Sequence, residues 1–134
     1  MANEAVIVEL LGNQGDPIEI TVADGTGIPK GTLMKMTGDR TGEASTADGN
    51  AFMGITTSEK VANDGSTTLA VYTHAIFDLT DAGAGIGFGN RVTIGGANTI
   101  KTAAAGEAET GEVFGLALET ASAGEVIQVL VGGY

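Results

Sequence analysis

Gly25-Thr26-Gly27-Ile28-Pro29-Lys30-Gly31 and Gly83-Ala84-Gly85-Ile86-Gly87-Phe88-Gly89 are two versions of one run, with glycine at the first, third and last places and isoleucine at the fourth. Downstream of each, a strand-like stretch begins, at Leu33 and at Val92. Phe52-Met53-Gly54-Ile55 then matches Val113-Phe114-Gly115-Leu116. Glu59 and Glu119 follow, and after them Asn63-Asp64-Gly65 stands against Ala123-Gly124. Each half closes on an apolar strand, Leu69–Ile76 and Val126–Val131. The offset is 58 residues early (Gly25 to Gly83) and 61 later (Gly54 to Gly115), so one small loop insertion separates the halves. A match kept in this order predicts an internal duplication. It implies two related β units, about 25–79 and 83–134, packed face to face, with residues 1–24 as a separate N-terminal arm.

The segments between the glycine runs read as strands. In Ile18-Glu19-Ile20-Thr21-Val22 the apolar residues alternate strictly with polar ones, the period of a half-buried strand. Val6–Leu11, Leu33–Met36, Ala51–Thr57, Leu69–Leu79, Arg91–Ile94, Thr99–Ala103, Val113–Glu119 and Val126–Val131 complete the set. Many are rich in the β-branched and aromatic residues that suit a pleated surface. Gly12-Asn13-Gln14-Gly15-Asp16-Pro17, Thr37-Gly38-Asp39, Ala47-Asp48-Gly49-Asn50, Asn63-Asp64-Gly65 and Ala123-Gly124 are turns. In them glycine accepts positive φ, and Asp or Asn bonds its own backbone. Thr57–Ala62 and the Ala-rich Lys101–Glu109 have room for one or two helical turns at most. Strands at this spacing predict an all-β barrel or sandwich.

Composition excludes whole classes of chemistry. The 134 residues contain no cysteine and a single histidine, so disulfides, thiolate catalysis, Cys-ligated metals and multi-His metal sites are ruled out. Six Lys and Arg against 17 Asp and Glu give a net charge of −11, a poor surface for nucleic acid or an anionic membrane. No apolar run reaches the ~18 residues of a membrane span. The start Met-Ala-Asn-Glu-Ala lacks the basic region of a secretory signal, which points to synthesis in a cytoplasm.

Candidate sites yield little on inspection. Gly25-x-Gly27-x-x-x-Gly31 is one residue off the dinucleotide pattern and leads into a strand instead of a helix, so it reads as a turn. His74 stands mid-strand with no motif supplying a nucleophile and an orienting carboxylate, and reads as structural. Asp39, Glu43, Asp48, Asp64, Asp78 and Asp81 lie near glycines, but no window fits a calcium-binding loop. No Ser lies in a nucleophile elbow. The expectation is a protein that is not an enzyme, with no cofactor, no metal and no catalytic residue. Val6, Val8 and Leu10, alternating with Ile7, Glu9 and Leu11, make the first segment more apolar than an exposed edge should be. Strand addition to a partner would satisfy it.

Gly27-Ile28-x-x-Gly31-x-Leu33, then Phe52-Met53-Gly54-Ile55, then the end Val113-Phe114-Gly115-Leu116-Ala117-Leu118-Glu119-Thr120-Ala121-Ser122-Ala123-Gly124-Glu125-Val126-Ile127-Gln128-Val129 form a pattern. It resembles the small Gly/Ala-rich capsid decoration (cementing, head-stabilising) proteins of tailed bacteriophages. These often close with a "G-V-A-L-E-x-A-x-A-G-x-x-V-x-V" segment. The C-terminal block carries the specific part of the resemblance. It implies a structural virion protein with a β-tulip-like body, commonly a homotrimer, that sits on the outer surface of an icosahedral head. There it clamps neighbouring major capsid subunits, and the arm reaches onto the capsid. The partners expected are the major capsid protein and further copies of this chain, with no nucleic acid and no membrane. The residues expected at the capsid are Val6, Val8, Leu10, Leu11, Ile18 and Ile20, with Lys30, Lys35 or Arg40 assisting locally. A virion fibre, or a receptor- or glycan-binding β module, is the alternative.

Overall fold

A computed structural model describes residues 2–10, 16–47 and 49–132. These form eleven strands: β1 (Val6–Leu10), β2 (Ile18–Thr21), β3 (Leu33–Gly38), β4 (Thr41–Ala44), β5 (Phe52–Thr56), β6 (Thr68–Tyr72), β7 (Ala75–Thr80), β8 (Arg91–Gly96), β9 (Thr99–Thr102), β10 (Gly115–Ala117) and β11 (Val126–Val131). The Ala-rich stretch supplies a single 3₁₀ turn, Glu107–Thr110, flanked by Gly106 and Gly111 in the left-handed region. Thr57–Ala62 contains no helix.

The first five strands of the body close a barrel in the order β2-β4-β3-β5-β6, and the remaining ones form a sheet in the order β1-β7-β11-β10-β8-β9. The two share one plan. β2 lies antiparallel to β6 with Ile18 opposite Val71 and Ile20 opposite Leu69, as β7 lies on β11 with Phe77 opposite Val129 and Leu79 opposite Ile127. The barrel closes through a parallel contact of Thr21 with Thr41, and the sheet curls onto itself through a parallel bridge of Asp81 with Ile100. The isoleucines of the two glycine runs sit in matching antiparallel bridges, Ile28 with Lys60 and Ile86 with Ala121. Each bridge carries N–H···O bonds in both directions, at 2.9 and 2.8 Å in the first unit and 3.0 and 2.8 Å in the second.

Alternation places the core. In β7, Ala75, Phe77 and Leu79 turn inward, and in β11 so do Ile127, Val129 and Val131. They pack with Val92, Ile94, Ile100 and Phe114, and with Leu33 and Ile55 of the first unit, in one cluster. A smaller cluster of Ile20, Val22, Ile28, Met34, Leu69 and Val71 fills the barrel.

Three expectations change here. Leu69–Leu79 is two strands broken at Thr73-His74, so the seam between the units falls there, and the first unit begins at β2 instead of at Gly25. Residues 1–24 are not a separate arm. β2 closes the barrel against β6, and β1 pairs with β7 from Val6 opposite Asp78 to Leu10 opposite Ala75. The physical reason is burial: Ile20, Val22 and Ala5 find room inside the body, which removes more apolar surface from water than an extended arm can. β4 (Thr-Gly-Glu-Ala) was not anticipated, because it carries no large apolar residue and is held by its pairing with β3.

The matched glycines Gly54 and Gly115 explain why the Phe-Met-Gly-Ile motif recurs. A Cβ at Gly54 would lie 2.5 Å from Val71 Cγ2, and one at Gly115 would lie 2.8 Å from Val129 Cγ1. These two valines are themselves matched, each on the last strand of its unit. Gly54 is also at φ 115°, which an L side chain resists. Gly54→Ala and Gly115→Ala are each expected to lower stability by about 1–3 kcal/mol, with Gly54→Ala the worse. Urea denaturation midpoints check this, and an unchanged midpoint for both would remove the account of the motif.

Candidate docking surface

The loops that carry the glycine runs are stapled from inside, by opposite charges in the two units. In the first, the Lys60 side chain is 1% exposed, and its ammonium donates to Asp24 Oδ1 at 2.9 Å and Asp64 Oδ1 at 2.7 Å. It also donates to the carbonyls of Asp24 and Val61 at 3.2 and 2.9 Å. Asp24 Oδ1 takes the Gly65 N–H as well, and Asp64 Oδ1 the Ser66 N–H. In the second unit the residue matching Lys60 is Ala121, and the staple is the buried carboxylate of Asp81. Its Oδ2 accepts the N–H groups of Gly83, Gly85 and Gly124 at 3.0, 2.9 and 3.0 Å. Its Oδ1 has no hydrogen-bond partner among the described residues. The acids marked out near the glycines thus include two, Asp64 and Asp81, that hold loops in place.

His74 is half-buried, with Nδ1 3.0 Å from Thr73 Oγ1. Among the described residues no group of three His, Cys, Asp or Glu is placed to hold a metal ion. A cavity of about 360 Å³ is an open depression lined by Asn90, Arg91, Ala103, Ala104 and Val113, without a converging acid and base.

What the surface does offer is apolar side chains turned outward. Phe88 is 75% exposed at the tip of the second glycine run, where the first run has Lys30, and its N–H is held by Thr120 Oγ1 at 3.3 Å. Leu118, just past β10, and Val126, at the start of β11, are exposed as well. On β1, Val6 is 49% and Val8 40% exposed. β1 is the edge of its sheet, and its register slips between Ile7 and Glu9, so Val8 stands out of the ladder as a bulge does.

Of the residues expected to meet a partner, Val6, Val8 and Ile18 are exposed. Ile20 is not, because at 1% exposure it is barrel core and is withdrawn from the set. The backbone of Leu10 pairs with Ala75, and Leu11 lies outside the described residues. Lys35 is committed to Glu43 at 3.1 Å and Thr46 at 2.9 Å, and Arg40 Nε donates to the Glu19 carbonyl at 2.7 Å. Sequence reasoning missed Phe88, although a phenylalanine between two glycines, where the other unit has lysine, was the available signal.

No family model matches the chain, and no curated protein matches it in sequence. Among solved structures it is similar to the crystal structure of the head fiber gp8.5 N base of bacteriophage phi29. The TM-score is 0.55 at 18% identity, covering 87% of this chain and 93% of that one. The shared feature is the fold.

Burial would by itself lower the pKa of Lys60, but the hydrogen bonds and charges of Asp64 and Asp24 outweigh it and hold the ammonium above the ordinary lysine value. The bond from Lys60, then that from the Ser66 N–H, hold the Asp64 carboxyl below the ordinary value. A depressed acid contributes stability that is present above its unfolded pKa, about 4, and is lost as pH falls through the folded value. A raised lysine contributes fully below its unfolded pKa, about 10.4, and loses that as pH rises further. Lys60→Met should therefore lower the melting temperature most near pH 7, with the gap to the wild type narrowing towards pH 3. Melting curves across that range check it, and a gap independent of pH would mean that only packing of the lysine stem was lost.

Proposed function

We propose that the protein is a structural component of a tailed-bacteriophage virion. In this reading it is a decoration or cement protein that binds the outside of the icosahedral head and stabilises contacts between major capsid subunits. It is made in the host cytoplasm, works as a homotrimer and performs no catalysis. The observation that carries the reading is the fold, shared along most of both chains with a head-fibre base. The C-terminal Gly-Leu-Ala-Leu-Glu-Thr-Ala-Ser-Ala-Gly block supports decoration in particular, through its resemblance to that family.

The surface supports a mechanical role. The glycine-run loops are tied down internally by Lys60 and Asp81, and exposed apolar residues stand on an edge strand and a loop tip. With 17 acids on the chain, contacts to a lattice rest on apolar burial and backbone pairing, for which the edge strand β1 is suited. An oligomer touching several lattice points gains avidity from contacts that are weak singly.

A second reading, a base that anchors a fibre on the head, is favoured by the description of the structural neighbour. Co-sedimentation with expanded empty heads, titrated to saturation, separates the two: hundreds of copies per head with a raised capsid melting temperature fit decoration, and a few tens or fewer fit a fibre base. No binding to any of several related heads would overturn both. Val6→Asp with Val8→Asp should weaken head binding about tenfold or more while the chain stays folded.

A further inference from the structure

We propose that the outer face of the six-stranded sheet is the surface on which a second copy of this chain docks, Arg91 of one copy meeting Glu9 of the next. The proposal goes beyond the homotrimer suggested above, because a row docked on its own copy joins chains in pairs, and it can fail without the head-binding reading failing.

An antiparallel sheet with one face on the core ordinarily turns polar residues to water. Here the registers line up Leu116 opposite Leu130 and Leu130 opposite Ile76, all three on the face turned away from the core. The same transverse row continues at one end to Arg91, opposite Leu116, and at the other to Glu9, opposite Ile76. Five strands thus carry one line of side chains, with a cation at one end, three large aliphatics in the middle and an anion at the other end. The next row, Val6, Asp78, Gln128 and, just past β10, Leu118, mixes apolar with polar groups and forms a rim.

The occupant follows from charge. A row with opposite charges at its ends is complementary to a copy of itself presented in the opposite sense, the isologous two-fold contact that joins chains in pairs. Two copies each of net charge −11 repel in general, so a contact between them needs apolar burial and one of the chain's six cations in the right place. Arg91 stands at the end of the apolar row. Its guanidinium has five donors, so it can meet Glu9 of another copy while keeping its contacts within the chain.

Sedimentation equilibrium over a range of concentrations tests this with the wild type, Arg91→Glu, Glu9→Arg, the double charge swap and Leu130→Lys. Circular dichroism confirms folding of each, which is expected because all three side chains turn away from the core. The wild type should self-associate. Each single reversal and Leu130→Lys should weaken association about tenfold or more, and the swap should restore most of it. A wild type that stays monomeric, an assembly indifferent to these changes, or a swap that fails to rescue would overturn the proposal. Head co-sedimentation of the same variants keeps the outcomes apart, since a monomer that still binds heads removes this surface and leaves the virion reading standing.

Discussion

The side-chain amide of Asn98 joins the two halves of the molecule. It lies in the β8–β9 turn of the second unit, yet its Oδ1 accepts the Leu33 N–H at 2.6 Å, and its Nδ2 donates to the carbonyls of Gly31 at 3.1 Å and Asn3 at 2.5 Å. Three segments far apart in the chain meet on one planar group. Backbone N–H and C=O groups buried at a seam must be paired, and one left unpaired costs about 1–3 kcal/mol. Only an amide both accepts and donates here; an aspartate could not serve the two carbonyls. The turn also holds Asn98 at φ 55°, a left-handed conformation that asparagine tolerates better than most residues. Ser45 completes the joint, accepting the Asn98 N–H and donating to the Gly96 carbonyl.

Beside this polar joint the apolar one is simple. Phe52 of the first unit stacks on Phe114 of the second with centroids 4.2 Å apart and planes 11° from parallel. Leu33 and Ile55 join the larger core cluster, so the barrel and the curled sheet share a core. Ala5, buried with its N–H on the Gly31 carbonyl, draws the N-terminal strand into the same place. The units are thus related in plan but not in partners: Arg40, at the turn matching Asn98, bonds its own unit at Glu19, while Asn98 bonds the other. Lys60 and Asp81 show the same divergence, each closing its loop pair with a buried charge of opposite sign. One plan repeated twice leaves two surfaces that differ: Phe88, Leu118 and Val126 are exposed in the second unit, and Ile18, Met36 and Val61 in the first.

Most strands were legible because they are half-buried and alternate, as Ile18–Val22 does. The glycine runs and the paired Gly54 and Gly115 made the two units legible, since each glycine faces the matching valine, Val71 or Val129, on the last strand of its unit. β4 was illegible because Thr-Gly-Glu-Ala carries no apolar period, and its strand character comes from β3. The break inside Leu69–Leu79 was hidden because Thr73 and His74 are compatible with a strand, and only the change of partner, from β2 to β11, separates β6 from β7. For the candidate surface, Val6, Val8 and Ile18 could be named from excess apolarity, but Ile20 had the same signature and proved to be core. Apolarity marks a residue for burial without saying whether its own chain or another will bury it.

By itself the sequence determined that the chain is all-β, built from two related units, strongly acidic, and without the cysteines of redox chemistry or more than one histidine. These properties are local or compositional: period-two alternation, turn residues and counts of charge. Tertiary structure alone decided that the N-terminal strands belong to the body, that a buried lysine staples one loop pair and a buried aspartate the other, and that Arg91, Leu116, Leu130, Ile76 and Glu9 form one line across five strands. Those facts depend on register between segments distant in sequence, and register is set by how the whole core closes.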